Sequence, residues 1–83
     1  MMRNRIKEIG EAIRKRRELL GLLQPKLAAI AGVSRRTLQL VEAGKANPSL
    51  DILLKIADPL GLTIKLTLKE TAAGNITITE PLK

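Results

Sequence analysis

The chain has 83 residues, 45% apolar and 28% charged, a composition expected of one small soluble globular domain rather than a disordered segment. It contains no Cys, no His and no aromatic residue, which excludes disulfides, thiol and imidazole catalysis and an ordinary zinc site, and leaves Leu, Ile, Val and Ala to build the core. Its net charge of +7 lies wholly in the first half, where residues 1–45 carry eleven basic and four acidic side chains against four of each in residues 46–83; so lopsided a split points to a polyanionic partner, nucleic acid before membrane.

The first residues, Met1 to Glu8, are charged and lack the apolar stretch of a targeting signal. No apolar run approaches the length of a membrane span, so a cytoplasmic protein is expected. Helical spacing begins with Ile6, Ile9, Ile13 and Leu20 on one face, stopped by Gly21. Arg17 falls inside that apolar stripe, so it either snorkels at the rim or meets a buried acid. Pro25 opens a second helix containing Leu27, Ala28, Ile30 and Ala31, closed by Gly32. Ser34 reads as the N-cap of a third, from Arg35 to about Ala43, stopped by Gly44. At 100° per residue this helix gathers Thr37, Leu38 and Val41 on one side, with Glu42 at the edge. Arg35, Arg36, Gln39, Leu40 and Ala43 share the other side.

A second serine cap, Ser49, precedes a fourth helix striped by Leu50, Leu53, Ile56, Ala57 and Leu60, with Pro59 expected to stop or distort it. The period then changes to two. Ile64, Leu66 and Leu68 alternate with Thr63, Lys65, Thr67 and Lys69, and Ile76 and Ile78 with Thr77 and Thr79. These are two short one-faced strands, joined through Thr71 to Asn75 as a hairpin. The architecture expected is mainly α, a bundle of four or five short helices with a C-terminal β-strand or hairpin. Residues 1–62 form the helical domain and 63–83 the β tail.

Two short helices joined by a tight glycine turn, the second presenting basic and amide side chains outward, describe a helix-turn-helix. The letters add to the geometry. Leu27-Ala-Ala-Ile-Ala-Gly-Val-Ser-Arg-Arg-Thr-Leu, then Glu42-Ala-Gly-Lys, Pro48-Ser-Leu-Asp and Leu53-Leu-Lys-Ile-Ala-Asp, closely resemble the Xre family of phage-repressor and Cro-like DNA-binding domains. The resemblance spans about residues 6–62, and the trailing strand resembles the HipB-type, antitoxin-like branch of autoregulators.

That resemblance implies a lambda-repressor-like fold whose third helix enters the major groove, with Arg35, Arg36 and Leu40 at base edges and Thr37 and Gln39 alongside. The chemistry agrees: arginine's planar fork fits guanine O6 and N7, and leucine meets only a thymine methyl. The resemblance also places Gln24 against a phosphate and Arg17 with Glu42 as a buried ion pair. The stripe argument reaches the need for an acid beside Arg17 independently. Ser34, Lys45 and Arg14 complete the expected phosphate contacts. The sequence departs from the family at Leu23, where a polar cap is usual, at Pro59, where alanine is common, and at Leu40, where a polar reader is common.

Two functions follow. One is a sequence-specific repressor that binds double-stranded DNA on a two-fold operator as a homodimer, close to the nucleoid. The other is an antitoxin whose main work is to neutralise a cognate toxin, DNA binding being secondary. Strand edges need pairing or protection, so Ile64, Leu66, Leu68, Ile76 and Ile78 are expected to meet a second subunit or the toxin. Catalysis is not expected, because Ser34 and Ser49 are better explained as helix caps, and neither a metal nor a cofactor is implied.

Overall fold

A computed structural model describes the backbone of residues 2–66 and 76–79 and the side chains of residues 5–66. Four helices come first: α1 Met2–Leu19, α2 Gln24–Ala31, α3 Arg35–Glu42 and α4 Leu50–Ala57. Two strands follow, β1 Thr63–Leu66 and β2 Ile76–Thr79. The core comprises Ile13 of α1, Leu27, Ala28 and Ala31 of α2, Leu38 and Val41 of α3, and Leu53, Ile56 and Ala57 of α4, with Leu60 and Leu62 beneath them. Small residues on α2 allow close approach of its neighbours, since Ala28 and Ala31 leave little side chain between backbones.

The caps fall where the sequence places them. Ser34 Oγ accepts the Thr37 backbone N–H at 3.0 Å, and Ser49 Oγ accepts that of Ile52 at 3.2 Å. Leu23 occupies the N-cap of α2 in extended conformation and its side chain offers no oxygen, so that helix starts uncapped. The helix α4 ends at Ala57, and Pro59 sits in the single 3₁₀ turn Asp58–Leu60 that follows, in keeping with a proline that cannot continue an α-helix.

Two stripe residues leave the core. Leu20 lies beyond the end of α1, where the Leu22 N–H returns to the Arg17 carbonyl at 3.0 Å and turns the chain. That closure leaves Leu20 45% exposed and packs Leu22 inward instead. Leu50 opens the first turn of α4 and is 57% exposed, while Ile52 takes the inward position. Ile30, on the outer side of α2, is likewise exposed.

The strands pair antiparallel, with Ile64 opposite Ile78 and Leu66 opposite Ile76. Ile64 packs on the helical core, whereas Leu66 stands 80% exposed. The expected connection Thr71 to Asn75 and the interface residue Leu68 lie outside the described residues.

Candidate nucleic-acid interface

The turn between α2 and α3 depends on Gly32, whose φ of 75° lies in the left-handed region that costs a side-chain-bearing residue energy. Its N–H and that of Val33 both return to the Ala28 carbonyl, at 2.9 and 3.0 Å, closing α2 sharply. Ser34 then starts α3, and its hydroxyl also donates to Thr37 Oγ1 at 2.8 Å. Thr37 is thereby drawn into the cap and is only half exposed.

α3 has two unlike sides. Leu38, Val41 and Glu42 are buried against the domain, while Arg35, Arg36, Gln39 and Ala43 are exposed and Leu40 is half-buried at the boundary. The two arginines lie in the first turn with no acid beside them. Positive charge there opposes the helix macrodipole, an effect of about 0.3–1 kcal/mol per exposed charge. Neither guanidinium takes part in an ion pair among the described residues.

The base of α3 is held by a polar cluster. Arg17 Nε donates to Glu42 Oε2 at 2.7 Å and Arg17 Nη2 to Glu42 Oε1 at 3.0 Å, a bidentate pair whose residues are each 8% exposed. Arg17 Nη1 donates to the Leu22 carbonyl at 2.8 Å, and Gln24 Nε2 to Glu42 Oε1 at 3.0 Å. The hydrogen bonds that Arg17 donates to Glu42 hold the Arg17 pKa above its ordinary value, outweighing the opposing effect of burial. Every buried side-chain nitrogen and oxygen among the described residues has a partner. The cluster joins the end of α1, the start of α2 and the end of α3, and so fixes the angle at which α3 is presented.

The expected phosphate contacts separate into free and occupied groups. Lys45 is exposed on the loop after α3 and makes no ion pair among the described residues. Gln24 sits at the start of α2, but its amide N–H₂ already serves Glu42. Arg14 lies between Glu18 at 3.1 Å and Glu11 at 3.4 Å on the exposed side of α1, where two carboxylates balance its charge.

Two residues that sequence reasoning passed over help position the site. Gly10 lies where α1 crosses the end of α3, and a methyl group there would run into the Val41 carbonyl oxygen and come within 3.0 Å of that of Glu42. The available signal was a lone glycine inside a helical pattern, tolerated at a cost of about 1 kcal/mol only for a reason. Arg16 Nε donates to the Leu60 carbonyl at 2.9 Å and ties α1 to the 3₁₀ turn, a contact with no local signal.

The Helix-turn-helix family profile matches residues 13–72. A putative helix-turn-helix transcriptional regulatory protein of Methanocaldococcus jannaschii is 39% identical over 59 residues, which is 71% of this chain and 19% of that protein. An uncharacterized helix-turn-helix transcriptional regulator of Haemophilus influenzae is 37% identical over 62 residues, 75% of this chain and 62% of its own length. The chain therefore spans less than two thirds of both of these relatives. Among solved structures, the restriction-modification controller protein C.AhdI of Aeromonas hydrophila superposes with a TM-score of 0.66 at 35% identity, covering 69% of this chain and 86% of that one. The clp gene regulator ClgR of Corynebacterium glutamicum gives 0.64 at 28% identity, covering 68% and 60%. No helix among the described residues is long and apolar enough to cross a membrane.

Proposed function

The chain belongs to the Xre-like helix-turn-helix family, and from that premise we propose that it is a sequence-specific DNA-binding repressor acting as a homodimer on a two-fold operator. α3 enters the major groove, Arg35 and Arg36 pair with guanine edges, and Gln39 and Leu40 contact neighbouring bases. Lys45 meets the phosphates beside the groove, and Ser34 joins it by turning its hydroxyl proton from Thr37 Oγ1 to a phosphate oxygen. The observation that carries this reading is the first turn of α3. Two exposed arginines without a counter-charge work against the helix that bears them, and a polyanion relieves that repulsion.

The tail supports a protein contact as well. Leu66 is exposed on β1, a shallow groove lined by Leu54, Leu62 and Ile64 together with Lys55, Asp58 and Thr63 lies where α4 meets the start of that strand, and the second half of the chain has no net charge to oppose association. A second copy pairing there sets two recognition helices on half-sites about 10 bp apart or a multiple of it. The HipB-like antitoxin branch is the finer assignment, in which the same apolar tail meets a cognate toxin. In the alternative reading, toxin neutralisation is the main activity and DNA binding is secondary.

Selection of bound duplexes from a random pool tests the main reading. A two-fold consensus is expected, and Arg35→Ala and Arg36→Ala each weaken binding to it by roughly 1–3 kcal/mol while binding to random DNA changes far less. Equal losses on consensus and random DNA overturn the readout assignment.

A further inference from the structure

The basic side chains fall into two groups. Arg14, Arg17 and Lys55 are spent on carboxylates and Arg16 on a carbonyl, whereas Lys7, Lys15, Lys26, Lys45, Lys65, Arg35 and Arg36 are exposed and unpaired among the described residues. Lys7 lies seventeen residues before Gln24 and outside the helix-turn-helix unit, yet the fold brings it to the end of α3. Gly44 sits against it so closely that a Cβ at Gly44 would lie 2.6 Å from Lys7 Cγ and 2.9 Å from Lys7 Cα. Lys45 is the next residue in the chain. The start of α1 therefore packs directly on the loop that leaves the recognition helix, and two free ammonium groups emerge from adjoining backbone.

We propose that Lys7, together with Lys45, forms a phosphate-binding lobe beyond the C-terminal end of α3, so that the start of α1 is part of the DNA-contact surface. The inference rests on the DNA-binding reading above and extends its footprint to an element outside the motif. Three observations support it. The lobe adjoins the exposed basic side of α3 through Ala43 and Gly44. The nearest acids on α1, Glu8 and Glu11, make no ion pair with Lys7 among the described residues, Glu11 being engaged by Arg14. Contact of the Lys7 Cβ and Cγ with Gly44 also restricts where its ammonium can go, so less freedom is lost when it meets a phosphate.

The test is the salt dependence of binding to the selected duplex by Lys7→Met, which keeps the aliphatic stem over Gly44 and removes the charge. Lys15→Met, at an exposed position on α1, controls for the one-unit change in net charge. Each phosphate contact contributes about 0.9 to the slope of log K against log salt. Lys7→Met is expected to lower that slope by about 0.9 relative to Lys15→Met, and Lys7→Met/Lys45→Met by about 1.8, with consensus and random DNA affected alike. A Lys7→Met slope equal to that of Lys15→Met overturns the lobe while leaving the DNA-binding reading intact. A wild-type protein without salt-dependent duplex binding overturns both. Circular dichroism melts of Lys7→Met matching wild type tie the slope change to charge rather than to folding.

Discussion

Replacing Glu42 by Ala removes one carboxylate and with it three hydrogen bonds, two from Arg17 and one from Gln24. What remains is a guanidinium 8% exposed, with one carbonyl acceptor at Leu22. Breaking a buried pair from one side costs about 3–5 kcal/mol, because the surviving charge stays desolvated. Glu18 lies 3.9 Å from Arg17 Nη2 and reaches solvent, so it recovers part of the attraction and places the loss near about 3 kcal/mol. A domain of this length has roughly 4–12 kcal/mol in total, so the loss is a large fraction of its stability. With a urea m value of about 1–1.5 kcal/mol/M for so small a protein, the midpoint falls by roughly 2–3 M. Arg17→Met/Glu42→Leu removes both charges and is expected to recover most of the loss, since well-packed apolar residues replace a buried pair at little cost. The sign with pH also follows. A cation whose folded pKa is raised stabilises fully below its unfolded value and loses that contribution only as pH rises through the folded value. Both values lie at the alkaline extreme for Arg17, so its contribution is constant across the neutral range. A Glu42→Ala loss under about 0.5 kcal/mol in urea melts refutes the buried-pair argument.

Gly10→Ala, which in an open helix gains up to about 1 kcal/mol, is expected here to lose about 1–3 kcal/mol because its methyl meets the Val41 and Glu42 carbonyls; a raised Tm would show that α1 and α3 do not approach so closely. Leu23→Ser supplies the missing oxygen at a position already in cap geometry and should gain about 0.5–2 kcal/mol, since the leucine is exposed and little packing is lost. No gain in thermal melts would mean that the first turn of α2 is satisfied otherwise. Truncation after Leu62 is expected to give a monomer with its helical spectrum intact and much weaker operator binding, measured by sedimentation and duplex titration. A truncated dimer would place the seam on the helices.

The third helix, α3, was legible in the sequence because each of its signals is local. Ser34 caps, Gly44 stops, and an angular period of 100° separates Arg35, Arg36 and Gln39 from Leu38 and Val41 within two turns. Arg17 was legible for the same reason: a charge on an apolar stripe has to find an acid, and the resemblance supplied Glu42. The paired strands followed from a period of two, though only the tertiary structure separates Ile64, which packs on the helices, from Leu66, which does not.

The tertiary structure alone decided how the helices cross and what their long side chains meet. Periodicity gave Leu20 and Leu50 the same inward direction as Ile13 and Ile56, but it carries no information on where a helix ends relative to its neighbour, and both leucines project past the contact. Gln24 offers its amide to Glu42 rather than leaving it wholly to a phosphate, Arg16 takes the Leu60 carbonyl, and Gly44 seats Lys7. Each contact spans many residues and depends on a crossing fixed by core volume and by the absence of a side chain at Gly10. Charge, caps and period therefore determined what each helix is and which side it shows to a partner. Close packing between segments distant in the chain decided which polar groups are consumed inside the domain and which remain free to bind.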